Sequence, residues 1–137
     1  MRIFKLTIKI ILDSNILISA LKNRIQLFKE IEEAILAKVE FITIPAVIKE
    51  LEKLSVKGGK IGKYASLALN LMLNKCKLIN FEASKKQVDE ALIEASFKLD
   101  AIVATLDLDL KRKLRKANRP IITLRGNRVY CIPENLK

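Results

Sequence analysis

The sequence predicts an α/β fold, a three-layer α/β/α arrangement in which a mostly parallel central sheet is covered by helices on both faces. Three observations support this prediction. Strand-like apolar runs alternate with apolar stripes at helical spacing. Half of the 137 residues are apolar, which is enough for a substantial core. No repeat, low-complexity segment or long linker divides the chain, so one domain over residues 1–137 is expected.

The first half of the chain predicts two strands, each followed by helical sequence. In order, we expect a strand over residues 7–12, a helix carrying Ile16, Leu17 and Leu21, a helix over 26–37, a strand over 41–44, and a helix from Pro45 to about Leu54. Asp13 has the side chain of an N-cap, and proline suits the first turn of a helix. Each of these strands therefore ends at a turn into a helix.

The second half repeats the pattern after a glycine-rich stretch. Residues 57–63 hold three of the four glycines and are expected to form a mobile basic loop. Beyond it we expect a helix over 63–75, a strand over 77–81, a helix over 84–98, a buried strand over 101–104, a basic helix over 108–116, and closing strands over 120–124 and 128–132.

Charge and missing residue types limit the functions that the chain can have. Lys and Arg outnumber Asp and Glu by 26 to 15, a net charge of +11 that indicates a polyanionic partner such as RNA or DNA. The alternative interpretation is a lysine-rich surface that only keeps the protein soluble. The chain has no His, which excludes a Ser-His-Asp triad and any His-ligated metal. Cys76 and Cys131 are too few for a zinc site and are expected to be buried apolar residues in a reducing cytoplasm. We find no signal peptide or membrane span in the sequence, so a cytoplasmic location is the expectation.

Acidic residues stand where an open parallel sheet places its functional site. Asp13 and Asp107 each follow a buried strand, and the carboxyl ends of parallel strands form one edge of the sheet. Glu50 shares the apolar face of its helix with Val47 and Leu54, and Asp89 lies at the edge of a buried stripe. A buried carboxylate is costly unless a cation accompanies it.

Each acid also has a purely structural interpretation. Asp13 and Asp107 have the side chains of ordinary N-caps, and Asp109 suits the first turn of a helix. Glu50 is within reach of Lys53, and Asp89 of Lys85 or Lys86. These interpretations do not explain why four acids converge at one end of a sheet. Convergent carboxylates without His suit a hard divalent ion, Mg²⁺ or Mn²⁺, as one ion or two, which would activate water and stabilise charge on a phosphate.

The ordered acidic motifs resemble those of the PIN-domain nucleases, over nearly the whole chain. The residues that carry the resemblance are Ile11-Leu12-Asp13-Ser14-Asn15, Pro45-Ala46-Val47-Ile48-Lys49-Glu50-Leu51, Asp89-Glu90-Ala91-Leu92-Ile93 and Ile102-Val103-Ala104-Thr105-Leu106-Asp107. The resemblance implies a catalytic, metal-binding tetrad of Asp13, Glu50, Asp89 and Asp107. It further implies that Asn15 and Thr105 are supporting polar residues and that Asp109 is an extra metal carboxylate. Glu90 and Glu94 are alternatives for the third acid if the helical register differs.

Within the family, residues 107–116 and Glu50-Leu51-Glu52-Lys53-Leu54 are most similar to the Fcf1-like group of ribosomal-RNA processing factors. The resemblance implies an endoribonuclease acting on RNA, in this group pre-rRNA. The VapC toxins share the same acids, and for a toxin the partner would be an antitoxin. A third hypothesis is an RNA-binding scaffold with an idle tetrad. Family precedent also makes self-association through a helical face compatible with the sequence.

Basic residues are needed around an acidic centre to hold an RNA backbone. Two clusters are candidates: Lys57, Lys60 and Lys63 in the glycine-rich stretch, and Lys111, Arg112, Lys113, Arg115 and Lys116 after Asp107. The second cluster also fits a solvated helix face whose cations complement the helix dipole. Aromatic residues are only 5% of the chain, so strong sequence readout by base stacking is not expected.

Overall fold

A computed structural model of the chain describes residues 7–84 and 87–133. Its strands are β1 (Thr7–Leu12), β2 (Lys38–Thr43), β3 (Lys77–Leu78), β4 (Ala101–Ala104), β5 (Ile121–Arg125) and β6 (Arg128–Ile132). Its helices are α1 (Ser14–Lys22), α2 (Leu27–Ala34), α3 (Pro45–Ser55), α4 (Gly59–Lys75), α5 (Val88–Lys98) and α6 (Leu108–Lys116).

The strands of the described residues form one six-stranded sheet in the order β3-β2-β1-β4-β5-β6. All neighbouring pairs are parallel except β5 and β6, which form an antiparallel hairpin. Helices flank this mostly parallel sheet, which confirms the predicted three-layer α/β/α class.

The strand order places a topological switch between β1 and β4. From β1 the chain builds outward through β2 to β3, and from β4 it builds in the other direction through β5 to β6. The register pairs Leu12 with Ala104, and the Asp13 amide donates to the Ala104 carbonyl at 2.9 Å. The carboxyl ends of β1 and β4 therefore lie side by side, where open α/β sheets form their binding crevice.

The predicted glycine-rich loop over residues 57–63 is wrong in extent, because α4 already begins at Gly59. Gly58 and Gly59 adopt φ of +76° and +63°, a backbone conformation that suits glycine, and they turn the chain from α3 into α4. At Gly62 a Cβ would lie 3.0 Å from the Ser55 carbonyl oxygen, so glycine allows α3 and α4 to pack closely there. The glycines therefore form a tight helix–helix connection, and Lys60 and Lys63 lie on α4.

Four other predicted elements differ from the structure by more than one residue at an end. The strand predicted over 41–44 starts earlier, because β2 runs over Lys38–Thr43. The second helix ends at Ala34 instead of Ala37, because Ile35 is already extended with ψ of 124°. The strand predicted over 77–81 is reduced to β3, after which only the Ile79 amide continues the pairing, to the Thr43 carbonyl at 2.9 Å. The helix expected from residue 84 begins at Val88, and Lys85 and Lys86 lie outside the described residues. No helix in the described part of the chain is long and apolar enough to cross a membrane.

The core lies on both faces of the central strands, where β4 and the second half of β1 are buried. All four residues of β4 are buried, and Val103 is fully buried between Ile11 on β1 and Ile121 on β5. Burial on both faces explains why this strand is a continuous apolar run.

Truncation of Val103 tests this packing. Val103→Ala is expected to lower the free energy of unfolding by about 2 kcal/mol, since it removes buried methyl groups and leaves a cavity. Val56→Ala makes the same change where the side chain is 83% exposed, and it should stay within about 0.5 kcal/mol of the wild type. Urea unfolding midpoints of the two variants measure the difference, and equal midpoints would contradict the burial of β4.

Candidate active site

The four predicted acids line one open cavity of about 400 Å³ at the carboxyl ends of β1 and β4. We call this cavity the acidic pocket. It is lined by Asp13, Ser14, Asn15, Ile18, Ser19, Lys22, Glu50, Leu54, Ile61, Asp89 and Asp107. Asp13 and Asp107 lie in the turns after β1 and β4, Glu50 lies on α3 and Asp89 on α5, and the switch in strand order brings the two turns together.

Asp13 is the most buried of these acids, with 4% of its surface exposed. It is also the N-cap of α1, since its Oδ1 accepts a hydrogen bond from the Ser14 amide at 2.8 Å. Its Oδ2 accepts from the Thr105 hydroxyl at 2.7 Å. The structural and functional interpretations of Asp13 are thus compatible, because the capping bond fixes the carboxylate at the floor of the pocket.

Thr105 and Asn15 link the ends of β1 and β4 through hydrogen bonds. The Thr105 hydroxyl donates to Asp13 and accepts from the Asp107 amide at 3.1 Å. The Asn15 side-chain oxygen accepts from the Leu106 amide at 3.2 Å. Asp107 in turn caps α6 by accepting from the Leu110 amide at 3.0 Å. This set of bonds fixes the turn after β4 relative to β1, and with it the positions of Asp13 and Asp107.

Glu50 lies on α3, half-buried, and accepts a hydrogen bond from the Ser14 hydroxyl. Its neighbour one turn later, Leu54, also lines the pocket. The i, i+4 spacing on α3 therefore places a carboxylate and an apolar side chain on the same face toward the cavity.

The structure places Asp89, and not Glu94, at the pocket as the third acid. Asp89 lies in the first turn of α5 and is partly buried. Glu94 instead accepts hydrogen bonds from the Ser84 amide and hydroxyl at 3.0 and 2.8 Å, and it pairs with Lys98 at 3.8 Å. Glu90 is not among the residues that line the pocket.

Not all of the predicted metal-binding acids and RNA-binding cations lie at the acidic pocket. Asp109 lies outside the acidic pocket, with its side chain 72% exposed and paired with Arg112 at 3.1 Å. Among the predicted RNA-binding cations, Lys113 is near enough to Asp89 to affect its ionisation. Lys57, Lys60 and Lys63 are exposed, but they do not line the pocket.

Several pocket residues were not predicted from the sequence. Ile18, Ser19 and Lys22 join the predicted Asn15 in lining the pocket from one face of α1. Their spacing from Asn15 is i+3, i+4 and i+7, a helical pattern that could have identified Lys22 once Asn15 was assigned to the site. Ile61 could not have been found this way, because it reaches the pocket only through the early start of α4.

The carboxylates disfavour one another's ionisation. Burial, with the negative charges of Glu50 and Asp89, raises the pKa of Asp13 to about 6, although the Thr105 and Ser14 hydrogen bonds act in the opposite direction. The pKa of Asp89 is also raised, first by burial and then by Asp107, while Lys113 lowers it. A bound cation would remove this repulsion.

The donor set of the acidic pocket fits a hard divalent ion. Four carboxylates and no thiol line the pocket, and carboxylate oxygens are the donors that Mg²⁺ and Mn²⁺ prefer. Within residues 7–84 and 87–133, no three acidic or cysteine side chains already converge on one ion position. An ion held by few protein oxygens and several waters is compatible with such an open arrangement.

The chain is similar to known proteins over most of its length. Residues 10–127 match a family model described as a PIN like domain. Ribonuclease VapC4 from Methanocaldococcus jannaschii is 36% identical over 128 residues, covering 90% of this chain and 95% of that protein.

Solved structures show the same fold at lower identity. The PIN domain endonuclease Utp24 superposes with a TM-score of 0.76 at 23% identity, covering 90% of each chain. A chain of VapBC2 from Rickettsia felis, bound to a DNA fragment from its promoter, has a TM-score of 0.64 at 16% identity, covering 86% of this chain and all of that one.

Proposed function

This chain belongs to the PIN-like domain family of nucleases, and from that premise we propose that it is a metal-dependent endoribonuclease whose active site is the acidic pocket. The observation that carries the proposal is the convergence of Asp13, Glu50, Asp89 and Asp107 on one cavity in a strongly basic chain. Nucleases of this family generally use divalent metal ions.

The four acids would hold Mg²⁺ or Mn²⁺, as one ion or two. When bound, such an ion lowers the pKa of water and stabilises the charge that builds on a phosphate and its leaving oxygen. The chain's own residues prepare the position. Ser14 and Thr105 orient Glu50 and Asp13 by donating hydrogen bonds to them, and the capping bond of Asp107 fixes the direction of its carboxylate. Preorganised ligands avoid reorganisation when the substrate arrives.

The basic surface would hold the RNA. Lys22 lines the acidic pocket itself, and Lys113 lies near Asp89, so each can contact phosphate beside the carboxylates. The other proposed RNA-binding residues are Lys57, Lys60, Lys63, Lys111, Arg112, Arg115 and Lys116. Every phosphate that they neutralise adds a salt-dependent contribution to affinity.

The direct test is cleavage of a labelled RNA that is partly single-stranded and partly hairpin, with EDTA, Mg²⁺ or Mn²⁺. Cutting that requires metal and is abolished by EDTA is the expected result. RNA binding without turnover at any metal concentration would overturn the proposal, and it would favour the RNA-binding scaffold.

Asp89→Asn compared with Glu94→Gln tests the choice of the third acid. Asp89→Asn should reduce cleavage at least about 10-fold, because a metal site is sensitive even to changes around its ligands. Glu94→Gln also removes one carboxylate from α5, but outside the pocket, and should cut at nearly the wild-type rate. The opposite ranking in the same cleavage assay would contradict the assignment of Asp89.

For the biological role we propose processing of ribosomal RNA, on the strength of the motifs in residues 50–54 and 107–116. A second candidate is a toxin ribonuclease with an antitoxin partner. The 36% identity to VapC4, in an alignment that covers 95% of that protein, favours this candidate. Induced expression in a bacterial host separates the two. A toxin arrests growth and an Asp13→Asn variant does not, whereas a processing factor leaves growth unchanged and cuts a pre-rRNA fragment at a single site.

A further inference from the structure

A second cavity, of about 530 Å³, lies beside α6 and the β5–β6 hairpin. We call it the basic groove, and its cationic lining residues are Lys111, Arg112, Arg115, Lys116 and Arg125. Leu108 and Ile132 complete its lining, and no acidic residue contributes to it. Its charge is thus opposite to that of the acidic pocket.

The cations of the groove are largely uncompensated. Within the described part of the chain, Arg112 alone among the five forms an ion pair, with Asp109 at 3.1 Å. Lys111 donates to the Thr123 hydroxyl at 3.3 Å, and Arg125 lies over the Tyr130 ring at 4.9 Å. The last two contacts position Lys111 and Arg125 without cancelling their positive charge, as expected of a surface that binds a polyanion.

Consecutive residues at the start of α6 line the two cavities. Asp107 lines the acidic pocket, and the next residue, Leu108, lines the basic groove with 69% of its surface exposed. From Leu108 to Lys116 the helix rises about 12 Å, so the groove extends away from the carboxylates along α6. One strand could therefore occupy both cavities by crossing the start of α6.

We propose that the basic groove binds the phosphodiester backbone of the RNA strand that is cut in the acidic pocket, on one side of the cleavage site. The proposal rests on the proposed ribonuclease function and extends it from the cut bond to the flanking nucleotides. It also adds Arg125, on the β5–β6 hairpin, to the RNA-binding surface. Guanidinium groups suit this role because they form paired hydrogen bonds with phosphate oxygens.

The test compares two double variants that remove the same charge. Arg115→Gln/Lys116→Gln alters the groove, and Lys75→Gln/Lys77→Gln removes two exposed cations near β3, at the opposite edge of the sheet. The affinity for a fluorescent single-stranded RNA is measured in EDTA over a range of salt concentrations, with melting temperatures as the folding control. The groove variant should weaken binding about 10-fold and lower the slope of log affinity against log salt by about 1.4, or about 0.7 for each of two lost contacts.

The matched control should keep the wild-type slope. Equal losses of RNA affinity in both double variants would show that only the net charge matters. That result would overturn the proposal that the basic groove binds RNA. RNA binding unchanged in the groove variant, with loss of binding to a poly-glutamate peptide, would overturn it in favour of an acidic protein partner. Since binding is measured without metal, the result does not depend on whether the protein cuts RNA.

Shortened RNA substrates test whether the basic groove binds the strand on one side of the cleavage site. Shortening the RNA one nucleotide at a time should raise KM for the wild type on one side of the cut only, and the groove variant should lose this dependence. Cleavage with equal sensitivity on both sides in both proteins would overturn the groove while leaving the proposed nuclease intact.

Discussion

Replacing Asp13 by Asn is expected to reduce metal-dependent RNA cleavage at least about 100-fold while the fold is retained. Changes around the ligands of a metal site cost about 10–100-fold, so loss of a proposed ligand should cost more. The fold should persist because Asn is also a good N-cap, able to accept from the Ser14 amide as Asp13 does. Cleavage rates with Mn²⁺ and circular dichroism spectra measure the two effects separately.

Asp100→Asn is the matched control for this experiment. Asp100 has a 96% exposed side chain, paired with Arg119 at 3.6 Å, and it does not line the acidic pocket. The same loss of one carboxylate there should leave cleavage within about 2-fold of the wild type, the small effect usual for an exposed surface position. If both variants cut as fast as the wild type, Asp13 is not part of the catalytic site.

The ionisation of Asp13 is expected to make the free energy of unfolding strongly dependent on pH. Burial and the neighbouring carboxylates raise the pKa of Asp13 from 3.8 to about 6, so the folded protein holds this proton more tightly than the unfolded chain does. Asp13 therefore costs no stability below about pH 3.8, and it costs progressively more as the pH rises toward 6. Between pH 4 and pH 7 the cost grows by roughly 2 kcal/mol, at about 1.4 kcal/mol per pKa unit.

Melting temperatures in EDTA from pH 4 to pH 8 measure this cost as the difference between Asp13→Asn and the wild type. The variant should become the more stable protein as the pH rises, by about 8 °C near pH 7, since 1 kcal/mol corresponds to roughly 4 °C for a domain of this size. Parallel curves for the two proteins would show that Asp13 titrates with an ordinary pKa. They would contradict the effect of burial and of the neighbouring carboxylates on that pKa.

Metal should reverse the ranking of the two proteins above pH 6. A divalent ion binds the ionised carboxylates of the folded wild type and stabilises it by mass action, whereas Asp13→Asn should gain much less. Because protons compete with the ion, cleavage should decrease as the pH is lowered through about 6. The active site would thus lower the stability of the metal-free protein, and the metal would restore it.

The sequence by itself was sufficient for the fold class and for most of the elements. The bounds of β1, β4, α6 and β6 were predicted to the residue, because each is set by a clear apolar run or by a cap such as Asp107. The family resemblance of the four acidic motifs also named Asp13, Glu50 and Asp107, which line the pocket, and it left the third acid open among Asp89, Glu90 and Glu94.

Only the tertiary structure decided which residues share a cavity. Asp13 and Asp107 are far apart in the chain, and they become neighbours because β1 pairs with β4, which no local pattern encodes. The third acid was ambiguous for the same reason, since Asp89 and Glu94 lie on one helix and only its packing determines that Asp89 reaches the pocket. The basic residues after Asp107 form one run in sequence, but the charge of Lys113 lowers the pKa of Asp89, whereas Arg115 lines the basic groove. Local structure follows from the periodicity of neighbouring residues, whereas the site depends on contacts between distant ones, which strand order and helix packing determine.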